Sequence, residues 1–161
     1  MTTIYVNIDI LIDKKVIKNP LTRRGYFQMK LNLKLFSLGK IKSYKKNYNQ
    51  LLFLNRLKIY KKYGSKIIFL SKYYETTSSD ILSNFDYDDI YYYTTNKDKI
   101  DFILSNCKTK GVLIDTNPLN LTNLRLNTIN LFKIHMNRGN VNISKLDKLY
   151  RIIKFNNTYD T

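Results

Sequence analysis

Apolar residues in this chain fall into short continuous runs separated by longer stretches with one apolar face, and that alternation leaves few folds open. Lys66–Leu70 (KIIFL) and Val112–Ile114 are apolar almost throughout, as in strands covered on both faces of a parallel sheet. Further strands are predicted at Ile4–Ile12, Leu31–Leu38, Ile90–Tyr93 and Leu131–Ile134. Helical spacing predicts helices over Lys40–Tyr63, Ser78–Asn84, Lys97–Asn106, Pro118 to about Asn127, and Ile143–Phe155. In the first of these, Leu51, Leu52, Leu54, Leu57 and Tyr60 are the expected buried stripe, and Gly64 supplies the stop. Strands and helices that alternate through short connections predict a three-layer α/β/α domain of flavodoxin-like or Rossmann-like type, with a mostly parallel sheet of about five strands. Residues 1–30 read as an irregular N-terminal extension with a basic loop, and 31–161 as a single α/β domain.

Charge is the next constraint. Lys and Arg number 28 against 12 Asp and Glu, a formal net charge of +16. A compact body this basic repels itself unless a polyanion neutralises it, and RNA is the usual polyanion. The chain has no Ala and no Trp, and Glu75 is its one glutamate. That bias matches an extremely AT-rich genome, of the kind found in organelles, phages and linear plasmids. Such a genome inflates Lys, yet it could equally supply Asp, so the cationic excess reads as selected. The lone Cys107 excludes an intramolecular disulfide and a four-Cys zinc site, and the lone His135 excludes a His cluster. No metal and no cofactor are expected. The N-terminus reads neither as a secretory signal nor as an Arg-rich transit peptide, so a mitochondrial product is expected to be made within the organelle.

Two sets of residues resemble known families. Asn7-Ile8-Asp9 follows an apolar strand, Ser71 follows KIIFL, Lys97 or Lys99 opens a helix, and Asp115 follows GVLI. In that order they resemble the haloacid dehalogenase-like phosphatases. The resemblance implies an Asp nucleophile and an acid/base Asp two residues apart, a Ser/Thr and a Lys holding the phosphoryl group, and late carboxylates holding magnesium. Here Asn7 stands at the nucleophile position, Ile10-Leu11 replaces a Gly-Thr pair, and Thr116 replaces a second late carboxylate.

The second resemblance begins at Asn19-Pro20 and continues through Leu35–Ile41, Gly64–Lys72, Tyr91–Tyr93, Phe102–Asn106, Val112–Asp115 and Ile129–Asn137. In order and spacing these segments are similar to the bacterial and mitochondrial small-subunit ribosomal protein two family. That likeness implies a structural constituent of the mitochondrial small ribosomal subunit, bound to rRNA and neighbouring ribosomal proteins in the matrix, with no reaction, membrane or small-molecule substrate. Two basic groups are the expected RNA contacts. Arg23, Arg24, Lys40, Lys42, Lys45 and Lys46 lie in and beside a loop, and Lys145, Lys148, Arg151 and Lys154 form a stripe along the last helix. This rRNA-binding role is the leading expectation. An inactive or weakly magnesium-dependent haloacid dehalogenase-like protein is one alternative, and a basic accessory subunit of another organellar complex is the other.

Overall fold

The computed structural model describes residues 2–12, 46–73, 75–82, 85–108, 110–117 and 130–159, with single positions at Phe27, Lys30, Leu31, Lys34 and Leu35. Five strands, β1 (Thr2–Asn7), β2 (Lys66–Ser71), β3 (Asp89–Tyr92), β4 (Lys110–Asp115) and β5 (Asn130–His135), form one sheet. Its order is β3-β2-β1-β4-β5, and every pairing is parallel. Among the described residues four complete α-helices accompany the sheet: α1 (Tyr48–Lys62), α2 (Glu75–Ile81), α3 (Asn96–Asn106) and α4 (Ile143–Tyr159). A 3-10 turn, Ile8–Leu11, leaves the end of β1.

Alternation along each strand divides the interior in two. Ile4, Val6, Ile67, Phe69, Val112, Ile114 and Ile134 face a cluster completed by α1, α4 and the end of α2. Tyr5, Ile68, Leu70 and Leu113 face the opposite way, onto Ile103 and Cys107 from α3 and its end. The result is the expected three-layer α/β/α arrangement. Among the described residues, no helix is long and apolar enough to cross a membrane.

Three expectations need correction. Residues 2–12 are not part of an irregular extension: β1 pairs with both β2 and β4 at the centre of the sheet. Its Ile4, Tyr5 and Val6 have no solvent exposure. The predicted strand Leu31–Leu38 is also not seen, since the described positions Leu31, Lys34 and Leu35 have helical backbone. In α1 the buried stripe runs through Gln50, Phe53, Leu54, Leu57 and Tyr60, while Leu51 is 48% exposed. Leu54, Leu57 and Tyr60 are buried as expected, while Gln50 and Phe53 take the places expected of Leu51 and Leu52 one turn earlier on the same helical face.

The ends of α1 are set locally. Asn47 and Gln50 form a capping box, each side chain accepting from the other's backbone N–H. At the far end Gly64 adopts φ +99°, and the Ser65 and Gly64 N–H groups return to the Tyr60 and Lys61 carbonyls at 3.0 and 3.1 Å. That pattern is a Schellman motif, which glycine enters without a Cβ penalty. The predicted start at Lys40 and the predicted helix from Pro118 to Asn127 fall outside the described residues.

Candidate functional site

Parallel α/β sheets bind ligands beyond the carboxyl ends of their strands, where the strand order reverses. That point lies here between β1 and β4. Asn7 ends β1 and caps the 3-10 turn, its Oδ1 accepting from the Asp9 N–H at 3.0 Å. Asp115 ends β4 with no solvent exposure. Around them lies a cavity of about 380 Å³ lined by Asn7, Asp9, Lys72, Tyr93, Lys99 and Arg138, with the Thr94–Asn96 and Thr116–Asn117 segments at its rim.

Two buried carboxylates organise this cavity. Asp115 Oδ2 takes the Lys99 Nζ at 2.7 Å, a pair whose side chains are 1% and 0% exposed. Asp115 Oδ1 accepts from Asn7 Nδ2 at 2.8 Å and from the Thr116 N–H at 2.7 Å. Asp9 Oδ1 accepts from the Tyr73 hydroxyl at 2.6 Å, and its Oδ2 faces Arg138 at 3.3 Å and Lys72 at 3.5 Å. Burial, reinforced by the Asp9 carboxylate, pushes the Tyr73 phenol far above its ordinary range, so it stays a neutral donor. Tyr93 is shifted the same way by burial and by both carboxylates, and Lys99 Nζ stands 5.0 Å from its ring centre. Three cations thus meet two carboxylates, which favours an added anion.

Backbone contacts explain why these groups converge. Ile10, Leu11 and Ile12 all join the core, so the apolar residues found where a Gly-Thr pair was expected pin the turn from beneath. Gln50 Nε2 reaches the Ile10, Ile12 and Gly139 carbonyls at 3.0, 3.2 and 3.3 Å. The Gly139 N–H donates to the Asp9 carbonyl at 3.0 Å. One buried amide therefore ties the Asp9 turn to the Arg138 turn, making Gln50 a positioning residue.

Of the haloacid dehalogenase-type positions, Asn7, Asp9, Lys99 and Asp115 come together and Ser71 does not. Ser71 is fully buried and shares a 2.8 Å hydrogen bond with Ser78. Lys97 is exposed, so Lys99 is the site lysine. Sequence reasoning missed Lys72, Tyr73, Tyr93 and Arg138. The Asn-Arg-Gly-Asn turn after β5 was a usable signal for the last of these.

Magnesium, implied by the phosphatase resemblance, requires several oxygen ligands turned towards one point. Asn7 instead points an N–H at Asp115, and both carboxylates already face ammonium, guanidinium, hydroxyl or amide donors. No group of three or more His, Cys, Asp or Glu is placed to hold a metal among the described residues. This donor set does not fit a divalent cation.

Of the ten expected RNA contacts, five lie among the described residues. Arg23, Arg24, Lys40, Lys42 and Lys45 lie outside the described residues. Lys46 is half-buried, and burial lowers its pKa against the opposing pull of Asp80. Lys145 is also half-buried and donates to the His135 carbonyl at 2.5 Å. Lys148, Arg151 and Lys154 are exposed on α4.

No family model and no curated protein matches this chain. Two solved structures do, and each is the HAD domain of the effector protein Lem4 from Legionella pneumophila. The inactive mutant superposes with TM-score 0.53 over 92% of this chain and 91% of its own, at 16% identity. The other gives TM-score 0.51 over 94% and 93%, at 17% identity. The three-layer α/β fold is therefore similar to that of these HAD domains. Neither of these structures is a ribosomal protein.

Proposed function

We propose that this chain is a haloacid dehalogenase-like protein that binds a phosphate-bearing anion at the end of β1 and does not turn it over through an aspartyl-phosphate. Asn7 carries this reading. An aspartyl nucleophile attacks phosphorus through a charged carboxylate oxygen and expels the alkoxide. The Asn7 amide oxygen is uncharged and already committed to the Asp9 N–H, and its nitrogen is committed to Asp115. Lys72 and Arg138, 36% and 31% exposed at their side chains, remain partly open to an incoming anion.

Calorimetry with inorganic phosphate tests the binding half. Heat of binding should appear without added magnesium and be lost in Lys72→Ala and Arg138→Ala. Incubation with p-nitrophenyl phosphate and magnesium tests the other half, and no phosphate release is expected. Magnesium-dependent turnover abolished by Asp9→Ala would overturn the reading.

A second reading keeps the chain as an rRNA-binding constituent of a mitochondrial small subunit. It draws on the +16 charge and on the exposed Lys148, Arg151 and Lys154. Retention on ribosomal particles through a high-salt wash would support it; release into the soluble fraction would sink it.

A further inference from the structure

The two carboxylates of the anion pocket hold their cations differently. Asp115 Oδ2 takes the Lys99 ammonium at 2.7 Å in a pair that solvent does not reach, and the Asn7 amide and Thr116 N–H brace its other oxygen. Breaking such a pair strands a desolvated charge. Asp9 is also buried, but its oxygens have unequal partners. Oδ1 accepts from the Tyr73 hydroxyl at 2.6 Å. Oδ2 is shared by Arg138 at 3.3 Å and Lys72 at 3.5 Å, beyond the roughly 2.7–2.9 Å of a charge-assisted hydrogen bond. Both cationic side chains are partly exposed, so water offsets what either loses on letting go. One oxygen of Asp9 is fixed and the other is loosely held.

Backbone contacts confine any exchange to the side chains. Arg138 stands in the Asn137–Asn140 turn, which a backbone bridge closes and which the Gly139 N–H ties to the Asp9 carbonyl at 3.0 Å. Gln50 Nε2 holds the same turn through the Gly139 carbonyl at 3.3 Å. Lys72 leaves the end of β2 beside Tyr73, whose N–H is anchored on Ser71 Oγ at 3.1 Å. None of these anchors uses the Arg138 guanidinium or the Lys72 ammonium. Both groups can therefore turn to a second acceptor while the turn and the strand end stay in place. The Tyr73 phenol remains a neutral donor, so an Asp9 carboxylate that gives up its cations keeps that hydrogen bond.

We propose that Asp9 is a built-in competitor for the anion pocket: its Oδ2 contends with the phosphoryl oxygens of a ligand for Lys72 and Arg138, while the Tyr73 hydroxyl holds Oδ1 throughout. Asp9 thereby sets the affinity of the pocket, and Tyr73 is a positioning residue that lowers the cost of the exchange. This role rests on the proposed binding of a phosphate-bearing anion at the end of β1. Lys99 takes no part in the exchange, because its pairing with Asp115 is direct and sealed from water.

Calorimetric titration of the full chain with inorganic phosphate, at fixed ionic strength, tests it. Asp9→Asn removes the charge and keeps an Oδ1 acceptor for Tyr73. Phosphate should then bind about 5- to 30-fold more tightly, the scale of releasing two partly solvated ion pairs. Tyr73→Phe strips Oδ1 of its donor and should weaken phosphate several-fold. Placed in the Asp9→Asn background, Tyr73→Phe should have little effect, since no charge is left to hold. Loosened packing would weaken binding in both single variants, so opposite signs separate competition from a structural role. Circular dichroism checks that each variant is folded; if Asp9→Asn is not, the loss in Tyr73→Phe decides. Phosphate binding that is unchanged or weaker in a folded Asp9→Asn chain would overturn the competitor and leave the anion-binding reading standing. Unchanged affinity in Tyr73→Phe would also overturn it. Absence of phosphate binding in the parent chain and in Asp9→Asn alike would overturn both.

Discussion

Replacing Lys99 by Met removes the cation from a pair that solvent does not reach. The ammonium lies 2.7 Å from Asp115 Oδ2, with the two side chains 1% and 0% exposed. Breaking a buried pair by deleting one partner costs about 3–5 kcal/mol, because the remaining charge stays desolvated. Asp115 would keep the Asn7 amide and the Thr116 N–H, so the lower end, about 3 kcal/mol, is expected. For a chain of this length each kcal/mol moves the midpoint by about 2–4 °C, giving a fall in Tm of about 6–12 °C. Thermal and urea denaturation followed by circular dichroism measure it. Lys99→Met combined with Asp115→Asn removes both charges and should recover at least half of the loss. A single-variant loss below about 1 kcal/mol, the scale of a solvated pair, would refute the reasoning. A double variant no better than the single would refute it too.

Other outcomes follow from the same site and core. Asn7→Asp puts a second carboxylate beside Asp115 and deletes a donor, costing about 1–3 kcal/mol; scanning fluorimetry should show magnesium raising the Tm of this variant and not of the wild type. Folding holds the Tyr5, Tyr73 and Tyr93 phenols above their ordinary range. Their contribution is therefore complete below pH about 10 and lost as pH rises beyond it. The final portion of the tyrosinate absorbance should appear together with loss of far-ultraviolet signal; ionisation of all tyrosines near pH 10 in a still-folded chain would contradict this. Gly111→Ala brings a Cβ within 2.7 Å of Cys107 Sγ and 3.0 Å of Leu131 Cδ1, for a loss of about 1–3 kcal/mol. Cys107→Ala in that background should recover most of it in urea titrations.

What was legible in the sequence divides along physical lines. KIIFL and GVLI announced β2 and β4 because strands buried on both faces need apolar residues throughout. Asp9 and Asp115 were legible because they stand at strand ends, where α/β sheets place their chemistry, whereas the sequence left Lys97 and Lys99 as equal candidates. Arg138, Tyr73 and Tyr93 were not, since each acquires its role only when strands distant in sequence lie side by side. Ser71 misled because its hydroxyl is satisfied by Ser78, beneath the cavity. The position of β1 was obscured by the basic, broken stretch that follows it, which made the whole N-terminal region look peripheral. Gln50 gave no signal, since a capping glutamine does not reveal the three carbonyls it also reaches.

The middle place of β1 also bears on how the chain is made. Asn7 meets Asp115 across 108 residues of sequence and Tyr93 across 86. A ribosome adding about 5–20 residues per second therefore emits this strand roughly 5–20 s before its β4 neighbour exists. Throughout that interval Ile4, Tyr5, Val6, Ile8, Ile10, Leu11 and Ile12, all sealed from water in the finished protein, have no permanent cover. Nascent chains halted before β4 should be the species that chaperones capture and that otherwise clump.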